Sequence, residues 1–397
     1  MRQLSARYLN LGCTLAILLG LTNTLPGQAK ALVGLTPVPP ATAKPTDFGP
    51  IMTAEPANGV RLFYCNFPWS VIEPMPGKFN PYIFAGLPVL RKMGFTPAVT
   101  ISTIDNVQRT VPYDLMTVPF NSPKMKARWD ACLRFVAKNQ SFHGNARWLS
   151  LGNDVDVYLG RHPAEADGYV EFIESGHDIV KSVAPTQLVG VTTTHDGARD
   201  RAALVAKLQR KMDYVSMTYY PVDARFHVRP LTDLPGDFAR MIGVAGSRQL
   251  FIQGFGCPAD PRISSEDLQA AYVRGMFEQL AKYGDKVAGV NWFLLADFND
   301  IAVNGMAQYY QQDSLEFKEY LGTLGLKRTD GTARKAWNVF RELARNWGAQ
   351  APAPVVSTPT AQPAAKPAGA APAKPAGTAP ARPAAQPMKP PARQPGH

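Results

Sequence analysis

The chain has 397 residues; without its compositionally odd ends roughly 300 remain, which is normal for one (β/α)₈ barrel with loops. Its formal net charge of +11 overstates the basicity of the body, because Arg2, Arg7 and Lys30 lie in a leader-like start and Lys366, Lys374, Arg382, Lys389 and Arg393 in a tail without Asp or Glu, leaving +3. That residue demands no nucleic acid, and no Gly-rich phosphate loop or dinucleotide fingerprint points to a cofactor.

Residues 1–31 read as an export signal: Arg2 and Arg7 come first, an apolar run from Leu9 to Leu21 follows, and Ala29-Lys30-Ala31 supplies small residues for cleavage. The run is too short to span a bilayer comfortably. Cys13 precedes most of the apolar stretch, whereas a lipid-modified cysteine would follow it. An exported protein, periplasmic or secreted, is therefore expected. Cys65, Cys132 and Cys257 remain after cleavage, an odd number, and Cys132 sits on an apolar helical face. A core of this size needs no disulfide framework.

Residues 32–46, with Pro37, Pro39, Pro40 and Pro45, read as a linker, and the barrel is expected over 47–347. Candidate strands follow in order at Phe48 to Thr53, Val60 to Asn66, Thr96 to Ser102, Trp148 to Gly152, Leu188 to Thr193, Tyr214 to Thr218, Leu250 to Gln253 and Val287 to Phe293. They alternate with segments of helical period, the sequence form of repeated βα units around a parallel sheet. Ser265 to Tyr283 is an example, with Ser264 as cap and Leu268, Tyr272, Met276 and Leu280 on one face. Only residues 55–59 separate the first two candidates, too few for a crossover helix, so the barrel is expected to be irregular there. Residues 348–397 repeat Ala, Pro and Lys and are expected to be a disordered tail able to touch anionic polymers of the cell envelope.

Barrels of this kind carry function where strands end at the carboxyl face. There stand Trp69-Ser70-Val71-Ile72-Glu73-Pro74-Met75-Pro76-Gly77 after the second strand, Gly152-Asn153-Asp154-Val155-Asp156 after the fourth, Gln253-Gly254-Phe255-Gly256-Cys257-Pro258 after the seventh and Asn291-Trp292-Phe293 at the eighth. In order and spacing these resemble the segments of the clan A glycoside hydrolases. The resemblance implies a retaining glycosidase whose acid/base position is Asp154 and whose nucleophile position is Gly254.

Both positions depart from the family's Glu. Retaining hydrolysis needs two carboxyl groups about 5–5.5 Å apart, and glycine offers none, so the double-displacement route is closed. Asp154 is still able to exchange a proton, with its carboxyl drawn back by the missing methylene. A second carboxylate for a water-based route has candidates by position in Asp196, Asp260, Asp297 and Asp300, each of which also reads as a loop salt bridge or turn cap. Glu73 reads as a brace of its loop.

Trp69, Tyr219, Tyr220 and Trp292 fall at carboxyl ends of strands, where rings stack on sugar faces while Asn153 bonds hydroxyls. Filling the upper core is the alternative for each. Arg61 reads as a site residue or a buried partner of a carboxylate, and His195 as a group that orients a hydroxyl. No metal-ligand spacing appears among the six histidines. Three functions stay open: a glycosidase of altered mechanism, a catalytically inactive pseudoenzyme that binds polysaccharide or oligosaccharide, and an envelope scaffold.

Overall fold

The computed structural model describes residues 31–349. The segment read as an export signal, apart from Ala31, and the segment read as a disordered tail, apart from residues 348 and 349, which belong to the last helix, lie outside the described residues. In chain order the strands are β1 Leu32–Leu35, β2 Leu62–Pro68, β3 Thr96–Ser102, the short pair β4 Ile104–Asp105 and β5 Gln108–Arg109, then β6 Trp148–Ser150, β7 Leu188–Gly190, β8 Thr192–Thr194, β9 Val215–Tyr219, β10 Leu250–Phe255 and β11 Val287–Trp292. All but β4 and β5 form one sheet in the order β7-β6-β3-β2-β1-β11-β10-β9-β8, with every neighbouring pair parallel.

The two ends of that order are halves of one strand. β7 pairs with β6 through Leu188, Val189 and Gly190, while β8 pairs with β9 through Thr192, Thr193 and Thr194. Val191 is the break between them. The stretch 188–194 thus joins both edges of the sheet, and the architecture is the (β/α)₈ barrel expected from the alternating pattern.

The first unit corrects the sequence reading. Phe48 to Thr53 is not a strand but the start of a helix, Phe48–Ala57. The first strand is instead β1, inside the segment read as a linker, and its Leu32 to Leu35 register with Gly289 to Trp292 of β11. Ahead of prolines 37, 39 and 40 stands a short apolar run, Leu-Val-Gly-Leu, that is buried on both faces. With β1 in place the crossover to β2 holds a full helix, and the expected irregularity disappears. Helix Glu266–Tyr283 is capped by Ser265, one residue later than expected, whose Oγ accepts from the Leu268 N–H at 3.1 Å.

Helix Phe48–Ala57 ends at Asn58, and Gly59 follows at φ 85°, a left-handed residue of the kind that closes helices. It also lies against the last helix, Lys335–Ala349: a Cβ on Gly59 would stand 2.0 Å from the Ala344 carbonyl oxygen. The last helix thereby seats on the amino end of the barrel. Two large apolar clusters form the core, one around Tyr219, Phe255, Trp292 and Phe340, the other around Trp69, Trp129 and Phe172. Cys132 and Cys257 are buried, and Cys65, Cys132 and Cys257 are unpaired.

Inside the barrel a belt of hydroxyls replaces the usual aliphatic layer beneath the mouth. Gln253 Oε1 accepts from the hydroxyls of Thr100 at 2.9 Å and Thr192 at 2.6 Å. Thr192 Oγ1 is in turn 2.9 Å from both Ser150 Oγ and Ser216 Oγ. The amide Nε2 of Gln253 points upward and donates to Asn153 Oδ1.

Two stability measurements follow. Gly59→Ala should lower the unfolding free energy by about 3 kcal/mol through backbone strain and collision with the last helix, read as a fall in the urea midpoint; an unchanged midpoint would show that the helix shifts without cost. Gln253→Ala strands three buried polar partners and should cost about 2–4 kcal/mol in the same assay.

Candidate functional site

A cavity of about 500 Å³ opens over the carboxyl ends of the strands. Its floor and walls include Tyr64 and Asn66 of β2, Asp105 and Asn106 after β3, Asn153 and Asp154 after β6, His195 and Asp196 after β8, Thr218 and Tyr220 around the end of β9, and Gln253 and Gly254 of β10. The period-2 alternation of a strand explains the pairs Tyr64/Asn66 and Thr218/Tyr220, which share the inward face.

Asp154 lies at the centre of the polar network. It has φ 47° and ψ 42°, the left-handed conformation that Asp tolerates better than most residues, and it starts helix Val155–Arg161. Its Oδ1 accepts from the Thr218 hydroxyl at 2.7 Å and its Oδ2 from Asn106 Nδ2 at 3.3 Å. Only 8% of its surface is exposed. Burial, helped by the negative charges of Asp156 and Asp105 and opposed by the Thr218 and Asn106 bonds, pushes its carboxyl up to about 7. A proton donor poised near neutrality is what general-acid chemistry requires.

The hairpin β4–β5 sets the next carboxylate beside it. Ile104 and Asp105 pair antiparallel with Arg109 and Gln108, and Asn106 takes φ 53° in the turn. Asp105 also bridges Asn153 in parallel, and its Oδ1 accepts from Asn153 Nδ2 at 2.7 Å. Asn153 thus stands between Gln253 below and Asp105 beside it.

Gly254 places no carboxyl in the cavity, and the space is not empty. A Cβ there would lie 2.8 Å from the Tyr220 hydroxyl and 3.4 Å from Thr218 Cγ2. Burial and the Asp154 charge hold the Tyr220 phenol well above its usual range, so it is a neutral donor rather than a nucleophile. His195 presents its ring between Asp237, 3.1 Å from Nε2, and Asp196, 3.4 Å from Nδ1. Burial opposes its charge, but the two carboxylates outweigh burial and raise its pKa.

The cavity has a roof. Helices Asp300–Tyr310 and Leu315–Gly322 follow β11, capped by Asn299 and Ser314. They supply Tyr310, Phe317 and Tyr320 to the cavity wall. Tyr309 donates its hydroxyl to the Asp105 carbonyl at 3.2 Å. Since β2 and β1 lie between β3 and β11 in the sheet, this bond bridges the mouth above them.

Several residues expected at the site lie elsewhere. Trp292 is 0% exposed; on β11 it points outward, 5.4 Å from the Phe255 ring and 6.4 Å from Phe340, under the helix layer. Tyr219 is out of phase with Thr218 and Tyr220, so its ring also turns outward, and its hydroxyl donates to Asp237 at 2.9 Å. Trp69 is buried against Trp129 at 4.8 Å and donates its indole N–H to Glu73. Glu73 in addition receives the Gly77 N–H and Arg128, and so braces its loop. Arg61 precedes β2 at the opposite end of the barrel and bonds the Pro56 and Val60 carbonyls. Among the alternative carboxylates, Asp297 is spent on Arg334 at 2.7 Å and Asp260 on Arg262; Asp300 is exposed at the start of its helix. Asp196 does line the cavity, next to Arg199 at 3.2 Å.

Asp105, Asn106, Tyr64, Asn66 and Gln253 escaped the sequence reading. Asp-Asn between Ile104 and Val107 is a hairpin-turn signal, and Tyr64 and Asn66 alternate along a strand whose end faces the mouth. Tyr310 and Tyr320 carry no such signal, since only the fold brings their segment over the cavity. Among the described residues no cluster of three or more His, Cys, Asp or Glu is arranged to hold a metal ion, and no helix is long and apolar enough to cross a membrane.

This parallel barrel with a polar cavity over its carboxyl end has the fold of the clan A glycoside hydrolases. Among solved structures it is similar to the exo-beta-1,4-mannosidase Op5Man5 from an Opitutaceae bacterium, at 19% identity and a TM-score of 0.62, covering 81% of this chain and 60% of that longer one. It is also similar to GH5_18 from Streptomyces cattleya in complex with GlcNAc, at 17% identity, a TM-score of 0.63 and 83% of each chain. A GH5_18 variant from Bifidobacterium longum in complex with Manβ1-4GlcNAc matches at 14% identity and a TM-score of 0.63, covering 81% of this chain and 80% of that one. No protein-family model matches the chain, and no curated protein matches it in sequence.

The raised pKa of Asp154 fixes a sign. Below pH 4 the carboxyl is protonated folded or unfolded; between pH 4 and 7 only the unfolded chain releases the proton, so stability falls as pH rises, and above pH 7 the loss is complete. Asp154→Asn removes this dependence. The melting-temperature difference, variant minus parent, should grow steadily from pH 4 to pH 7 and then level, corresponding to at most about 4 kcal/mol. A difference independent of pH would show that Asp154 ionises normally.

Proposed function

We propose that the protein is exported and binds the end of a glycan chain in the roofed cavity, and that it does not hydrolyse that glycan by double displacement. The observation that carries this reading is the chemistry of the cavity lining. Asn66 Oδ1 is buried without a hydrogen-bond partner among the described residues, and buried polar atoms in native proteins are normally satisfied. It converges with Asp105, Asn153, Asp154 and the Tyr64 and Tyr220 hydroxyls on a space walled by Phe293, Tyr310, Phe317 and Tyr320. Hydroxyl-rich polar faces and flat apolar faces are the two surfaces a sugar presents, and the lining complements both. The bridge from Tyr309 to Asp105 favours a chain end over a polymer lying across the mouth. The similar proteins named for mannosidase activity, and those solved with GlcNAc or Manβ1-4GlcNAc, support a sugar as ligand.

A second reading has one observation in its favour. Asp154, held near pH 7, is suited to protonate a leaving group, with water as nucleophile and another carboxylate as base. Asp105 and Asp196 are the carboxylates in the cavity beside it.

The deciding experiment measures binding and reducing-end release on one panel of oligosaccharides. Binding without release is expected, and Asp105→Ala or Tyr220→Ala should weaken it about 10-fold or more by removing charged or aromatic contacts. Release that vanishes in Asp154→Asn would establish the second reading, and loss of neither binding nor release in these variants would remove the cavity from the function. Gly254→Glu should not create a retaining glycosidase, because its side chain must displace the Tyr220 hydroxyl; covalent labelling of that variant by a mechanism-based glycosidase inactivator would contradict this.

A further inference from the structure

The leader and the barrel meet at Ala31, and the structure constrains where they separate. Ala31 is 1% exposed and belongs to the apolar cluster of the barrel. Its carbonyl accepts a hydrogen bond from Trp347 Nε1 at 2.8 Å, which ties the first described residue to the last helix. β1 begins at the next residue, where Leu32 is in register with Gly289 of β11, and Val33 and Leu35 are each 1% exposed.

Two overlapping triplets in the sequence satisfy the small-residue requirement for removal of an export leader: Gly27-Gln28-Ala29 and Ala29-Lys30-Ala31. They differ in what they leave behind. A cut after Ala31 deletes a core residue, removes the carbonyl that accepts from Trp347 Nε1, and brings a charged ammonium to the first residue of a strand in the middle of the sheet. Each of these opposes folding. A cut after Ala29 keeps Ala31, its carbonyl bond and an uncharged peptide nitrogen at Leu32. The hydrolysis is ordinary in both cases: water adds across the peptide bond, and the new ammonium appears on Lys30 or on Leu32.

We infer that the processing site is the Ala29–Lys30 bond and that the mature chain begins at Lys30. This rests on the export reading above. The test is the intact mass and amino-terminal sequence of the full chain expressed with its own leader, together with its cellular fraction. A product starting at Lys30 is expected. A processed product in the exported fraction that starts at Leu32, or at any residue other than Lys30, overturns the inference while leaving export standing; an unprocessed chain retained in the cytoplasm overturns both.

A second measurement addresses the physical cause. Chains beginning at Lys30 and at Leu32, each released from a cleavable amino-terminal fusion, are compared by thermal melting. The Leu32 chain should melt lower by about 3 °C or more, and Trp347→Phe should narrow the gap by removing the donor from both. Equal melting temperatures would overturn the argument that the barrel needs Ala31.

Discussion

The side-chain amide of Gln253 connects the inside of the barrel to its mouth. Its oxygen gathers the hydroxyls of Thr100 and Thr192 from strands on different sides of the sheet, and its nitrogen holds Asn153. Asn153 in turn holds Asp105 and precedes Asp154, whose left-handed backbone leaves its carboxyl between Thr218 and Asn106. Because the belt is buried, each of these groups is costly to leave unpaired, and the network therefore has few alternative arrangements. A rigid polar floor is the prerequisite for reading the positions of hydroxyl groups on a ligand.

At the mouth, Gly254 carries no side chain, and the Tyr220 hydroxyl stands 2.8 Å from where a Cβ there would be. Asp154 remains, but its environment favours the protonated form. On the reading proposed above, glycine at 254 leaves the cavity without the closely spaced carboxylate pair that double displacement needs, while its hydrogen-bonding groups remain available to a sugar. The tyrosines and the roof after β11 supply much of the apolar lining, which on the proposed reading serves binding.

The roof illustrates how loops decide function on a common barrel. The helices after β11 and the hairpin after β3 each close on themselves through local caps and a tight turn. The Tyr309 bond then joins them over β1 and β2, so two insertions remote in sequence define one rim. At the other end of the molecule, Gly59 and Ala31 do the corresponding work: Gly59 lets the backbone of the last helix approach directly, and the Ala31 carbonyl accepts from the Trp347 indole N–H of that helix.

By itself the sequence determined the elements whose signal is local. Alternating apolar runs and capped helices marked seven of the barrel strands, from β2 to β11, and the Gly-Asn-Asp and Gln-Gly-Phe-Gly segments placed Asn153, Asp154 and Gly254 at the carboxyl face. Their spacing along the chain also identified the barrel. β1 was missed because four apolar residues followed by prolines look like a linker until β11 and β2 are there to pair with them. Only the tertiary structure decided which side chains reach the cavity. Adjacent residues of a strand face opposite ways, so Tyr220 turns in and Tyr219 out, and Trp292 goes to the helix layer; a one-residue difference in phase, invisible in composition, separates a cavity residue from a core residue. The same holds for Tyr310 and Asp105, which meet the site only because the chain has already closed into a barrel.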